Sequence, residues 1–116
     1  MKNFLAIFNG THAAMGEWNK MDEATRKARM AQGMAAWMAW KDAHASNMVD
    51  AGTPLGKTKR IDKNGIADAT NSMTGYVIVK AESHEAAAAM FTNHPHFAIF
   101  PGDNVEIMPC TELPKM

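Results

Sequence analysis

"TGYVIVKAESHEAAAAMFTN", residues 74–93, carries the pattern that decides the fold. Thr74–Ala81 is rich in β-branched and aromatic residues and reads as a strand. Successive strand residues point to opposite faces, so Tyr76 and Ile78 face one way and Val77 and Val79 the other. Both faces are therefore apolar and need cover. Ser83 then supplies a side-chain oxygen for the first amides of a helix, and "HEAAAAMFTN" continues as that helix. The helix should stop before Pro95, because the residue preceding a proline is driven out of the helical region.

Working outward, "FLAIF", Phe4–Phe8, is a second strand apolar on both faces, closed by the turn signal Asn9-Gly10. Residues 9–19 read as a loop. A long alanine- and methionine-rich helix follows, capped by Asn19 or Asp22, running to about Asp50 and stopped by Gly52. Gly33 inside it is a candidate bend. Asn64-Gly65 predicts a type I′ hairpin between strands Lys57–Lys63 and Ile66–Thr70, mostly polar and thus projecting into water or lying at an edge. Asn104–Met108 is the last strand. The order is β-α-β-β-α-β with an extra hairpin strand, which is the ferredoxin-like α+β pattern with an antiparallel sheet. Two helices cover one sheet face only. The other apolar face predicts a homodimer with two sheets packed face to face.

The 116 residues suit a single domain. Hydrophobic residues make up 47% and charged residues 21%, a globular composition. Lys and Arg balance Asp and Glu, which argues against an electrostatic nucleic-acid binder. No stretch approaches the roughly 20 apolar residues a membrane span needs. With a single cysteine, Cys110, no internal disulfide forms, and the expected location is cytoplasmic. The eleven methionines sit mostly at helical spacing and read as core filling. "GTPLGK" lacks the spacing of a phosphate loop, and His94 and His96 lack the further ligands zinc requires, so neither cofactor nor metal is expected.

The chemistry of interest lies on the long helix. At 100° per residue, Met30, Met34, Trp37, Met38, Lys41, Ala45, Met48 and Val49 form one apolar stripe with Lys41 as the only charge near its centre. Two readings stand. Lys41 lays its methylenes along Trp37 and reaches water, or it points into a cavity as a general base or an anion anchor. Trp40 and His44 flank the stripe. His44 is either a half-exposed histidine bonded to a neighbour or an acid/base group, and His94 is a candidate polar group of the same pocket.

The segments "MKNFLAIF", "DAGTPLGK", "KNG", "TGYVIVKAESHEAAAAMF", "HPHF" and "VEIMP" together resemble the YCII-related (DGPF) family over nearly the whole chain. The resemblance implies a ferredoxin-like unit that dimerises into an α/β barrel. It also implies a functional histidine on the first helix and an aspartate before a proline. Carried over, the histidine position, eleven residues before Gly52, is Lys41, and the aspartate position, before Pro95, is His94. Both differ, and "DATNSMTGY" replaces the DGPF signature. The resemblance thus implies a pocket occupied by Lys41 and His94, which are the expected catalytic pair. From their place beside these two, Trp37, Trp40, His44 and His96 are the expected ligand contacts. The expected function is binding of a small organic molecule, with isomerase- or lyase-like proton transfer. The alternative is a non-catalytic ligand-binding or structural dimer.

Overall fold

The computed structural model describes residues 1–114. Four strands, β1 (Lys2–Asn9), β2 (Met48–Pro54), β5 (Met73–Ala81) and β6 (Asn104–Pro109), form one sheet in the order β2-β5-β1-β6. Every neighbouring pair in it is antiparallel. Helices α1 (His12–Asn19), α2 (Glu23–Ala43), α3 (His84–Ala89) and α4 (Pro95–Ala98) complete the body. This is the ferredoxin-like arrangement expected. Strands β3 (Thr58–Asp62) and β4 (Gly65–Ala69) pair only with each other, as a separate two-stranded arm.

The second strand of the sheet is not where the sequence pattern puts it. The helix ends at Ala43 rather than near Asp50, and Met48–Pro54 is the edge strand β2. Met48 and Val49 fall in helical phase with α2, so periodicity alone extends the helix. Pairing with β5 overrides it: Asp50 lies opposite Ile78 and Thr53 opposite Tyr76. Asn47 fixes the crossover by donating to the Lys80 carbonyl at 2.9 Å. Gly52 is consequently not a helix stop. It sits at φ +69° in a bulged strand, where a Cβ would lie 1.6 Å from the Tyr76 carbonyl oxygen.

Three smaller departures have equally local causes. The expected loop of residues 9–19 contains α1, whose Trp18 is buried near Phe100. The helix expected over residues 84–93 ends already at Ala89, Asn93 follows at φ +55°, and a short helix not foreseen, α4, begins at Pro95 with His94 as its cap. The hairpin forms where predicted but not as a type I′ turn. Its central residues Lys63 and Asn64 keep negative φ, the Asp62 carboxylate accepts the Asn64 amide, and Gly65 at φ +115° closes the turn.

The core lies between the helices and one sheet face. Phe4, Ala6, Phe8, Val77 and Val79 meet Trp40, Ala87 and Phe91. Ser83 and Asp22 cap α3 and α2 by accepting the amides of Ala86 and Thr25. The buried stripe of α2 runs along Gly33, Trp37 and Trp40 instead of along the methionines. Met30, Met34 and Met38 are 51%, 55% and 52% exposed. The rotation follows from Gly33, which abuts the Phe100 ring with no room for a Cβ, and from Trp40, whose indole N–H donates to the Met90 carbonyl at 2.7 Å. Gly33 therefore allows a close approach rather than a bend. On the opposite sheet face, Leu5, Ile7, Tyr76 and Ile78 are only half-buried, and Met108 is exposed.

Candidate functional site

A cavity of about 460 Å³ opens between α2, the β2–β5 edge and the segment after α4. Phe8, Trp37 and Phe100 supply aromatic walls, and Met34 and Met38 stand at its rim. On the sheet side, Thr53 comes from the edge strand β2, and Gly75 and Val77 come from β5 beside it. The basic side chains lining it are Lys41 from the last turn of α2 and His96 from α4. Such a lining suits a small planar molecule with an anionic or hydroxylated edge: aromatic faces hold the ring and a few polar groups orient it. A second, more open depression of about 340 Å³ lies between α3, α4 and β6, lined by residues including Phe91 and Ile107.

Of the six residues singled out in the sequence, Lys41, Trp37 and His96 line the cavity, whereas His94, Trp40 and His44 do not. Lys41 is half-buried at its mouth. Trp40 is an anchor of the core. His44 caps the C-terminus of α2, donating from Nδ1 to the Trp40 carbonyl at 2.9 Å and lying over the Trp40 ring.

His94 is wholly buried behind Trp37. Its ring centroid is 4.5 Å from that of Trp37, 4.7 Å from Trp40 and 5.1 Å from Phe8. Its Nδ1 accepts the backbone N–H of His96 at 3.0 Å, which places the proton on Nε2. That Nε2 has no hydrogen-bond partner among the described residues. Burial pushes the His94 pKa down to about 4, with His96 and His44 adding to the depression. The ring is neutral at physiological pH.

His96 is held differently. Its Nε2 donates to the Asn9 carbonyl at 2.7 Å, so the neutral ring keeps its lone pair on Nδ1. Burial lowers its pKa, and the bond to Asn9 and the Asp103 carboxylate act in the opposite direction. Asn9 is the hub here. Its side chain donates to Asn104 and Glu106 and accepts from Ser72. The sequence marks Asn9 as a turn residue, and nothing local in it signals this buried role. Phe100 likewise carries no local signal of a site role, and the β2 wall is hidden in the sequence because periodicity extends α2 through it. Among the described residues no three His, Cys, Asp or Glu side chains gather as metal ligands, and no helix is long and apolar enough to cross a membrane.

No family model matches the chain, and no curated protein matches it. A solved structure does, at 15% identity over 94% of this chain and 93% of the other, with a TM-score of 0.56. It is the 5-chloro-2-hydroxyhydroquinone dehydrochlorinase of Burkholderia phenoliruptrix AC1100, in complex with 2,5-dihydroxybenzoquinone. At that identity the likeness establishes a shared fold and leaves this chain's chemistry to be argued from its own cavity.

Proposed function

We propose that this protein is a homodimeric, divergent YCII-related protein that binds a small hydroxylated or anionic ring in the α2–sheet cavity and moves a proton on it. One observation carries the reading: a largely aromatic and apolar cavity, with Thr53 and Thr74 in its lining, holds a single ammonium, Lys41, and a single neutral imidazole, His96. Lys41 anchors a ligand oxyanion. His96, tied through Nε2 to Asn9, offers Nδ1 as the proton acceptor. A proton leaving the ring or its hydroxyl moves to Nδ1, and the Lys41 ammonium holds the resulting oxyanion. Returning the proton elsewhere on the ring completes an isomerisation. Departure of an anionic leaving group with its bonding electrons completes an elimination. His94 is a positioning residue that holds the His96 backbone and touches no ligand.

The YCII assignment is supported by the short sequence segments and by the order of elements. The ligand class is supported by the lining and by the ring bound in the fold neighbour. The test is calorimetric titration with 2,5-dihydroxybenzoquinone and with benzoate. Saturable binding of either, lost in Lys41→Met, is the expected result. No heat from either ligand at millimolar concentration, with the protein folded, would leave a structural dimer as the better reading.

A further inference from the structure

The arm is the least explained part of the molecule. β3 and β4 pair with each other and with no other element to any comparable extent. The radius of gyration is 16.3 Å, against about 13 Å for a compact chain of this length, and the longest dimension is 57 Å. An isolated two-stranded hairpin is marginal in water. This one nevertheless places two isoleucines directly opposite each other, Ile61 and Ile66, 74% and 72% exposed. They share a face with the Lys59–Asp68 ion pair, and the other face carries Thr58, Arg60 and two alanines. An apolar cross-strand pair on an otherwise polar arm stabilises nothing until it is covered.

Charge and position indicate the cover. The arm and its root carry four cations, Lys57, Lys59, Arg60 and Lys63, against the carboxylates of Asp62 and Asp68. Because the chain is formally neutral, the rest of it is acidic by the same margin. The arm springs from β2 and β5, two strands of the sheet whose far face is apolar at Leu5, Ile7, Tyr76 and Ile78. That face has carboxylates on its two flanking strands, Asp50 opposite Ile78 and Glu106 opposite Ile7, with Lys80 at its far end opposite Asn3.

We infer that the arm is an embrace element for a second copy of this chain. Ile61 and Ile66 pack against the border of the partner's apolar sheet face, and the arm's cations meet the carboxylates at the Asp50 and Glu106 positions of that face. The two-fold repeat of this contact makes it reciprocal, one arm from each protomer. The inference rests on the homodimer reading above and adds a part of the molecule which that reading does not use.

The experiment is sedimentation equilibrium across nanomolar to micromolar concentration, on the parent chain and on Ile61→Thr/Ile66→Thr, with amide hydrogen exchange of residues 58–69 in both. Threonine keeps the β-branching the hairpin needs and removes apolar area. The expected result is a dimer whose dissociation constant rises about tenfold or more in the variant, with arm amides protected in the parent dimer and unprotected in the variant. An unchanged constant with freely exchanging arm amides in the dimer overturns the embrace and leaves the sheet-face dimer standing. A parent chain that stays monomeric at micromolar concentration overturns both. Arm protection in the monomer overturns the embrace in favour of an arm folded over its own cavity.

Discussion

The Nδ1 of His94 accepts the amide of His96 at 3.0 Å, so the two histidines are linked ring to backbone rather than ring to ring. The bond fixes His94 as a neutral ring with an unpartnered Nε2–H in an aromatic enclosure. Protonating Nδ1 removes the acceptor and places a charge in that enclosure.

The pH dependence of stability follows with a definite sign. The His94 pKa falls from 6.5 to about 4 on folding, so below pH 6.5 the unfolded chain binds the proton more readily than the folded one. Full stability holds above pH 6.5 and is lost as pH falls towards 4, by on the order of 3 kcal/mol at the lower limit. His96 acts in the same direction. His94→Asn keeps a side-chain cap on α4 and removes the titration. Urea midpoints at pH 7, 5.5 and 4.5 should fall more shallowly in the variant than in the parent. Parallel slopes would assign the acid sensitivity to other groups.

Lys41 stands in the last turn of α2, where a cation also complements the helix dipole. Lys41→Met gives up that contribution, about 0.3–1 kcal/mol, and gains apolar contact beside Met38. Stability should therefore stay within about 1 kcal/mol of the parent, while affinity for 2,5-dihydroxybenzoquinone drops about tenfold or more. Equal affinity in calorimetry would mean that Lys41 merely lays its stem along Trp37.

The strands Phe4–Phe8, Thr74–Ala81 and Asn104–Met108, and the hairpin, were legible because each reports its own burial through alternation and turn residues. β2 was not, since an edge strand is decided by its neighbour. "NMVDAGTP" continues the helical phase of α2, and only the partner β5 makes it a strand. The cavity was half legible for the same reason. Trp37 and Lys41 follow from helix phase. That His96 lines the cavity while His94 turns behind Trp37 depends on a four-residue helix whose orientation is set by the long-range bond to Asn9.

Gly52 gives the sharpest stability test. An alanine Cβ there would overlap the Tyr76 carbonyl, a backbone atom with little freedom to move, and would demand φ +69°. Gly52→Ala should cost about 3 kcal/mol or more and detach β2 from β5. Because Thr53 and Pro54 form one wall of the cavity, ligand affinity should fall in parallel. Chemical denaturation that shows a loss below about 0.5 kcal/mol would mean β2 pairs with β5 less tightly than described.

The far sheet face yields the last prediction. Ile78 lies between Leu5 on β1 and Asp50 on β2, half-buried within one chain and facing away from the helices. A lysine at this position costs the isolated protomer little, because its ammonium reaches water past the same neighbours. In two sheets packed face to face the same lysine would be buried without a partner, which costs several kcal/mol per protomer. Ile78→Lys should therefore run by light scattering at the 12.7 kDa mass of one chain, with its far-ultraviolet circular dichroism intact, where the parent runs at twice that mass. The parent and the variant share every contact on the helical face, so a loss of dimer confined to the variant places the interface on the opposite face. A variant that stays dimeric would move the interface elsewhere, and a parent that is itself a monomer would leave Leu5, Ile7 and Ile78 half-exposed with no second sheet to cover them.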